Sequence, residues 1–120
     1  MDYEKIRIVQ SRGPTIEAEA ALLASDSFEV RRDGTSMTLE VWQTRGDALI
    51  AVTRGEAMQG GEVRDIVEAK VVKPVECVGI PDAAALKLMH MKVMDHFDWS
   101  DRARSMVRKE LKWDLKIRVQ

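Results

Sequence analysis

The stretch that most constrains the fold is a hairpin in the first half of the chain. Thr38-Leu39-Glu40-Val41-Trp42-Gln43-Thr44 and Ala48-Leu49-Ile50-Ala51-Val52-Thr53 are both rich in β-branched and apolar residues. Only Arg45-Gly46-Asp47 separates them, and its glycine is expected to supply the positive φ that a short loop demands. A hairpin fixed this firmly favours antiparallel partners on either side. Lys5-Ile6-Arg7-Ile8-Val9 alternates charged and apolar residues before the turn Ser11-Arg12-Gly13-Pro14. Arg32-Asp33-Gly34-Thr35 is a second turn, implying a strand in Phe28-Glu29-Val30-Arg31, and Gln59-Gly60-Gly61 is a third. Val67 to Val72 reads as a further strand ended by Pro74. Residues 16–24 are contested: their Ala, Glu and Leu content favours a helix, whereas Ile16, Ala18, Ala20 and Leu22 recur at period two. The strand reading is preferred, because the residues after them are clearly β and consecutive hairpins are the most economical way to pair such strands.

Past residue 80 the period changes. Pro81-Asp82 opens a segment with Leu86, Met89, Val93, Met94 and Phe97 at helical spacing, which predicts a helix over 82–97. Ser100-Asp101 provides an N-cap and a first-turn acid for a second helix over 101–113, with Ala103, Met106, Val107 and Leu111 on one stripe. Leu115, Ile117 and Val119 alternate with Asp114, Lys116 and Arg118, which predicts a short terminal strand. Strands first and helices second give an α+β fold: an antiparallel β-meander of four to five strands covered by two C-terminal helices. With 120 residues, 45% of them hydrophobic, residues 1–120 suffice for a single domain with its own core.

Few residues form patterns that carry chemistry. His90 and His96 are six positions apart, so they cannot share a helical face as metal ligands, and His96 with Asp95 is expected to face outward near the helix end. A small-molecule enzyme using His90 or His96 is the third-ranked function. The single cysteine, Cys77, excludes an intrachain disulfide, fits a reducing cytoplasm, and reads as a small buried hydrophobe between Val75 and Ile80. No phosphate-binding loop, zinc-binding helix motif or nucleophile elbow occurs, and no cofactor is implied. Glu17 and Glu19 are a solvated pair at strand spacing. Arg45-Gly46-Asp47 spells an adhesion tripeptide but reads as a turn in a chain without an export signal. No apolar run approaches the length of about 18 residues that a membrane span needs.

Charge is balanced overall at −1 but unevenly placed. Residues 102–120 hold seven basic residues, namely Arg102, Arg104, Arg108, Lys109, Lys112, Lys116 and Arg118, against two acids, with Trp113 among them. Such a segment could track a phosphate backbone, which makes nucleic-acid binding the alternative function. The better-supported partner is protein, either a second copy as a dimer or another chain. Four of the seven methionines, Met89, Met91, Met94 and Met106, fall in the two helices. Leu88 and Met91 lie off the stripe that would cover a sheet, and a terminal strand would offer an edge. The expected interface is therefore Leu88, Met91, Leu115, Ile117 and Val119.

Ile8-Val9-Gln10-Ser11-Arg12-Gly13-Pro14-Thr15-Ile16, followed by the hairpin with Trp42 and Arg45-Gly46, resembles the start of small, uncharacterised bacterial accessory proteins associated with plasmids and phages. The resemblance covers about the first half of the chain and includes no catalytic motif. It implies a mobile-element accessory factor that acts by binding, and it transfers no site residues.

Overall fold

Period-two patterning is realised as five strands in the computed structural model, which describes residues 1–29, 35–74, 81–117 and 119. These are β1 (Glu4–Ile8), β2 (Ile16–Glu29), β3 (Ser36–Thr44), β4 (Leu49–Gln59) and β5 (Glu62–Val72), followed by helices α1 (Asp82–His96) and α2 (Asp101–Glu110). The strands lie side by side in chain order, each antiparallel to the next. The contested stretch 16–24 is a strand, and it runs unbroken to Glu29, so Phe28 and Glu29 belong to β2 and not to a strand of their own. Val30 and Arg31 lie outside the described residues, as does Cys77. β5 begins at Glu62, earlier than the expected Val67, because the Gly60-Gly61 turn (φ 59° and 82°) sets the register at Gln59↔Glu62 and pairing then continues to Leu49↔Val72.

Parity along the strands divides the apolar residues between two cores. On β3 and β4, Leu39, Val41, Leu49 and Ala51 pack against the helices, while Trp42, Ile50 and Val52 pack on the opposite face with Ile8 and Ala20. A bulge in β2 supports this split. Leu22 opposes Trp42 but Ala24 opposes Val41, so one extra residue flips the alternation, and Ala24 joins the helix-facing core while Ala20 joins the other. The sheet curls until the segment just after β1 meets β5. The Ser11 N–H donates to the Val67 carbonyl (2.8 Å), the Val67 N–H to Ser11 Oγ (2.9 Å) and the Ala69 N–H to Gln10 Oε1 (3.0 Å). The result is a nearly closed barrel in which Ile8, Ala20, Trp42, Ile50 and Val52 form one buried cluster, with Ala18 and Ala69 packed against it.

Three local expectations are corrected. In the β3–β4 turn it is Asp47, not Gly46, that takes the positive φ (63°). The Asp47 N–H donates to the Thr44 carbonyl and the Ala48 N–H to the Thr44 hydroxyl, so a turn at 44–47 places the left-handed residue one position later, where aspartate is tolerated. The expected terminal strand does not form among the described residues. Residues 111–117 instead cross α1, with Trp113 on His90 and the Lys116 carbonyl on Lys87. α2 is also shorter than expected, ending at Glu110. Leu111 caps it, Lys112 turns left-handed (φ 57°), and the Trp113 N–H returns to the Val107 carbonyl.

The helices cover one face of the sheet. Met89, Val93, Met94 and Phe97 of the first, with Ala103, Met106 and Val107 of the second, bury against β2–β5. Ser100 caps α2, its Oγ accepting from the Ala103 N–H (3.3 Å). The corner between the helices is tight: Asp98 and Trp99 both hold φ of 52°, a conformation costing of order 1 kcal/mol or more for each residue. Their N–H groups bond back to the carbonyls of Asp95 and Met94, and the Trp99 indole donates to Asp95 Oδ1 (2.8 Å).

Candidate interaction surfaces and histidine sites

Once the core has taken its share of α1, a few large apolar side chains are left over. Met89, Val93 and Met94 are buried, but Leu88 is 44% exposed on the solvent side and Met91, one turn on, is half-buried. The chain after α2 returns across this helix. Trp113 lies flat on His90, with ring centroids 3.8 Å apart and planes 5° from parallel. The Lys87 ammonium donates to the Lys116 carbonyl and sits 3.7 Å from Asp114 Oδ2. Leu115 is half-buried and packs against the helix-facing core, whereas Ile117 and Val119 are 73% and 89% exposed. Three of the five expected interface residues, Leu88, Ile117 and Val119, are thus exposed, while Met91 and Leu115 are half-buried.

The basic residues divide in the same way. Arg102 is engaged, with Nε 3.4 Å from Asp26 Oδ2 and its guanidinium 4.4 Å above the Phe28 ring. Arg104, Arg108, Lys109 and Lys112 are exposed, and none has a carboxylate partner among the described residues. Lys116 is exposed, Trp113 is occupied by His90, and Arg118 lies outside the described residues.

The two histidines are brought to different places. Burial lowers the His90 pKa to about 4, so its ring is neutral at physiological pH. It lines a groove of about 860 Å³ with Leu23, Leu49, Leu86, Met89 and Trp113. His96 does not face outward as expected. Its Nε2 lies 3.2 Å from the Thr53 hydroxyl, because the last turn of α1 rests on β4 and β5, and its neighbours there include Glu68. Burial lowers its pKa, opposed by a hydrogen bond to the Glu68 backbone and by the Glu68 charge. Asp95, by contrast, is exposed. The Thr53–His96 contact tethers the helix end to the sheet. Among the described residues no three His, Cys, Asp or Glu side chains converge as a metal site.

Other sequence candidates are absorbed by the fold. Glu17 faces Arg7 (3.7 Å), and Glu19 pairs with Arg45, whose guanidinium also lies 4.6 Å over the Tyr3 ring, so the tripeptide's arginine is held down. Sequence patterning did not single out Glu40, which accepts from the Trp42 indole (3.0 Å) and Arg54 Nε (3.2 Å). An acid flanked by Leu39 and Val41 in an apolar strand was its signal, and these partners satisfy it. Lys87 has no such signal, since its role depends on where residues 114–116 come to lie. No helix among the described residues is long and apolar enough to cross a membrane. No family model, curated protein or solved structure matches the chain.

Proposed function

We propose that this chain is a non-catalytic cytoplasmic protein that self-associates, as a dimer, through the outer side of α1 and the end of the chain, in keeping with an accessory role. The observation that carries the reading is the apolar surplus on that side. Leu88 at 44% exposure and half-buried Met91 stand on a helix whose opposite face already covers the sheet, and Ile117 at 73% and Val119 at 89% follow the segment that crosses that helix. The core gains little from them, while burial against a second copy stabilises by roughly 1 to 2 kcal/mol per large side chain. Association itself costs about 4 kcal/mol or more, so a small patch of this kind gives a weak dimer, in the micromolar range or above.

Sedimentation velocity across the micromolar range tests the proposal. A concentration-dependent shift from monomer to dimer is expected, and it should be lost in Leu88→Gln with Met91→Gln, a pair that preserves helix propensity. A strict monomer at every concentration, or a dimer indifferent to the double substitution, overturns it.

A further inference from the structure

The outward side of α2 carries cations that the fold does not use. The helix is set by its Ser100 cap and by Ala103, Met106 and Val107, all buried, which leaves Arg104, Arg108, Lys109 and, just past its end, Lys112 exposed. No carboxylate among the described residues pairs with them, whereas Arg102 is taken up by Asp26 and Phe28. The acids of this helix, Asp101 and Glu110, stand at its two ends. At a helical rise of about 1.5 Å per residue, Arg104 to the helix end at Glu110 spans about 9 Å, with Lys112 just beyond. That matches three to four phosphates of one nucleic-acid strand, spaced about 3.4 Å along the axis.

We propose that this side of α2 binds the phosphate backbone of nucleic acid without reading its sequence. Base stacking is not available to Trp113, which is stacked on His90 at 3.8 Å, and residues 101–112 contain no other aromatic side chain. Phosphate contacts therefore supply affinity and no sequence code. An anionic membrane is the poorer fit, because the apolar residues of α2 point into the core and none is left to enter the acyl boundary. The proposal uses a different helix from the self-association surface and does not depend on it.

Fluorescence anisotropy with labelled 20-nucleotide DNA, single- and double-stranded and of two unrelated sequences, provides the test between 50 and 200 mM NaCl. Four contacts predict a log–log salt slope of about −3.6 on duplex, a loss of roughly a hundredfold in affinity over that range, equal for both sequences. Arg108→Ala with Lys112→Ala should reduce the slope by about two, while Arg64→Ala on β5, also an exposed cation, should leave it unchanged. Circular dichroism checks that the variants remain folded. Vesicles of anionic phospholipid form the second arm and should not bind. Failure to bind DNA at 50 mM salt, a slope unaffected by the double substitution, or binding of vesicles in preference to DNA would each overturn the proposal.

Discussion

Acidification should weaken this fold through His90, by an amount that can be bounded from its surroundings. The ring is stacked on Trp113 and half-buried in the groove beside α1, and burial lowers its pKa from 6.5 to about 4. A depressed histidine pKa means that between about pH 4 and 6.5 the unfolded chain binds the proton more readily than the folded one. Stability is then fully present above pH 6.5 and is lost as pH falls towards 4. The full shift corresponds to about 3 kcal/mol, which solvent screening of a half-open ring reduces to roughly 1 to 2 kcal/mol. Urea unfolding followed by far-ultraviolet circular dichroism at pH 7 and pH 4, on the natural chain and on His90→Phe, separates this contribution from others. Phenylalanine keeps the stack on Trp113 and cannot be protonated, while the carboxylates and His96 titrate in both proteins. The natural chain should lose about 1 to 2 kcal/mol more than the variant over that interval. Identical losses would mean that His90 is not buried against Trp113 in the folded state, and the docking of residues 111–117 on α1 would fall with it.

Two further substitutions probe the helix layer. Met94→Ala removes a fully buried side chain from the helix-facing core and should cost about 2 to 5 kcal/mol in urea unfolding, far more than Met91→Ala on the half-buried side. Lys87→Met retains the apolar stem but removes the donor to the Lys116 carbonyl and one of the partners of Asp114, so amide exchange at residues 113–117 should accelerate while β3 and β4 remain protected.

The strands are legible in the sequence because their signals are local. Alternation in residues 5–9 and the two runs flanking Arg45-Gly46-Asp47 set side-chain parity, and Gly60-Gly61 sets the last register. Even the contested stretch 16–24 obeys its period against its composition. Sequence and structure part where a long-range contact decides. The alternation of Leu115, Ile117 and Val119 is a strand signal only if an edge receives it, and here residues 113–116 are held on α1 by His90 and Lys87 while the bond of Ser11 to Val67 nearly closes the sheet. The same closure makes both faces of β3 and β4 apolar, which a covered open meander would not require. His96 departs from expectation for a similar reason: its helix position suggests solvent, but the curl of the sheet brings Thr53 beneath it.

Candidate function depends on a subtraction that sequence alone cannot complete. Helical spacing already sets Met91 apart from Met89, Met94 and Met106, but the sequence gives the seven basic residues after position 101 equal weight. The fold does not. Arg102 is drawn onto Asp26 and Phe28, Trp113 onto His90, Leu115 against the core, and Met89, Met94 and Met106 beneath the helices. What remains is narrower than the sequence suggests: Leu88, Met91, Ile117 and Val119 around α1, and Arg104, Arg108, Lys109 and Lys112 along α2. Exposed apolar residues and unpaired cations of this kind add little to the stability of an isolated chain, since a lone surface charge contributes almost nothing and an exposed leucine or isoleucine forgoes burial energy. The two proposed contacts, apolar at α1 and anionic at α2, would put these residues to use, and the two surfaces can be tested independently because they share no residue.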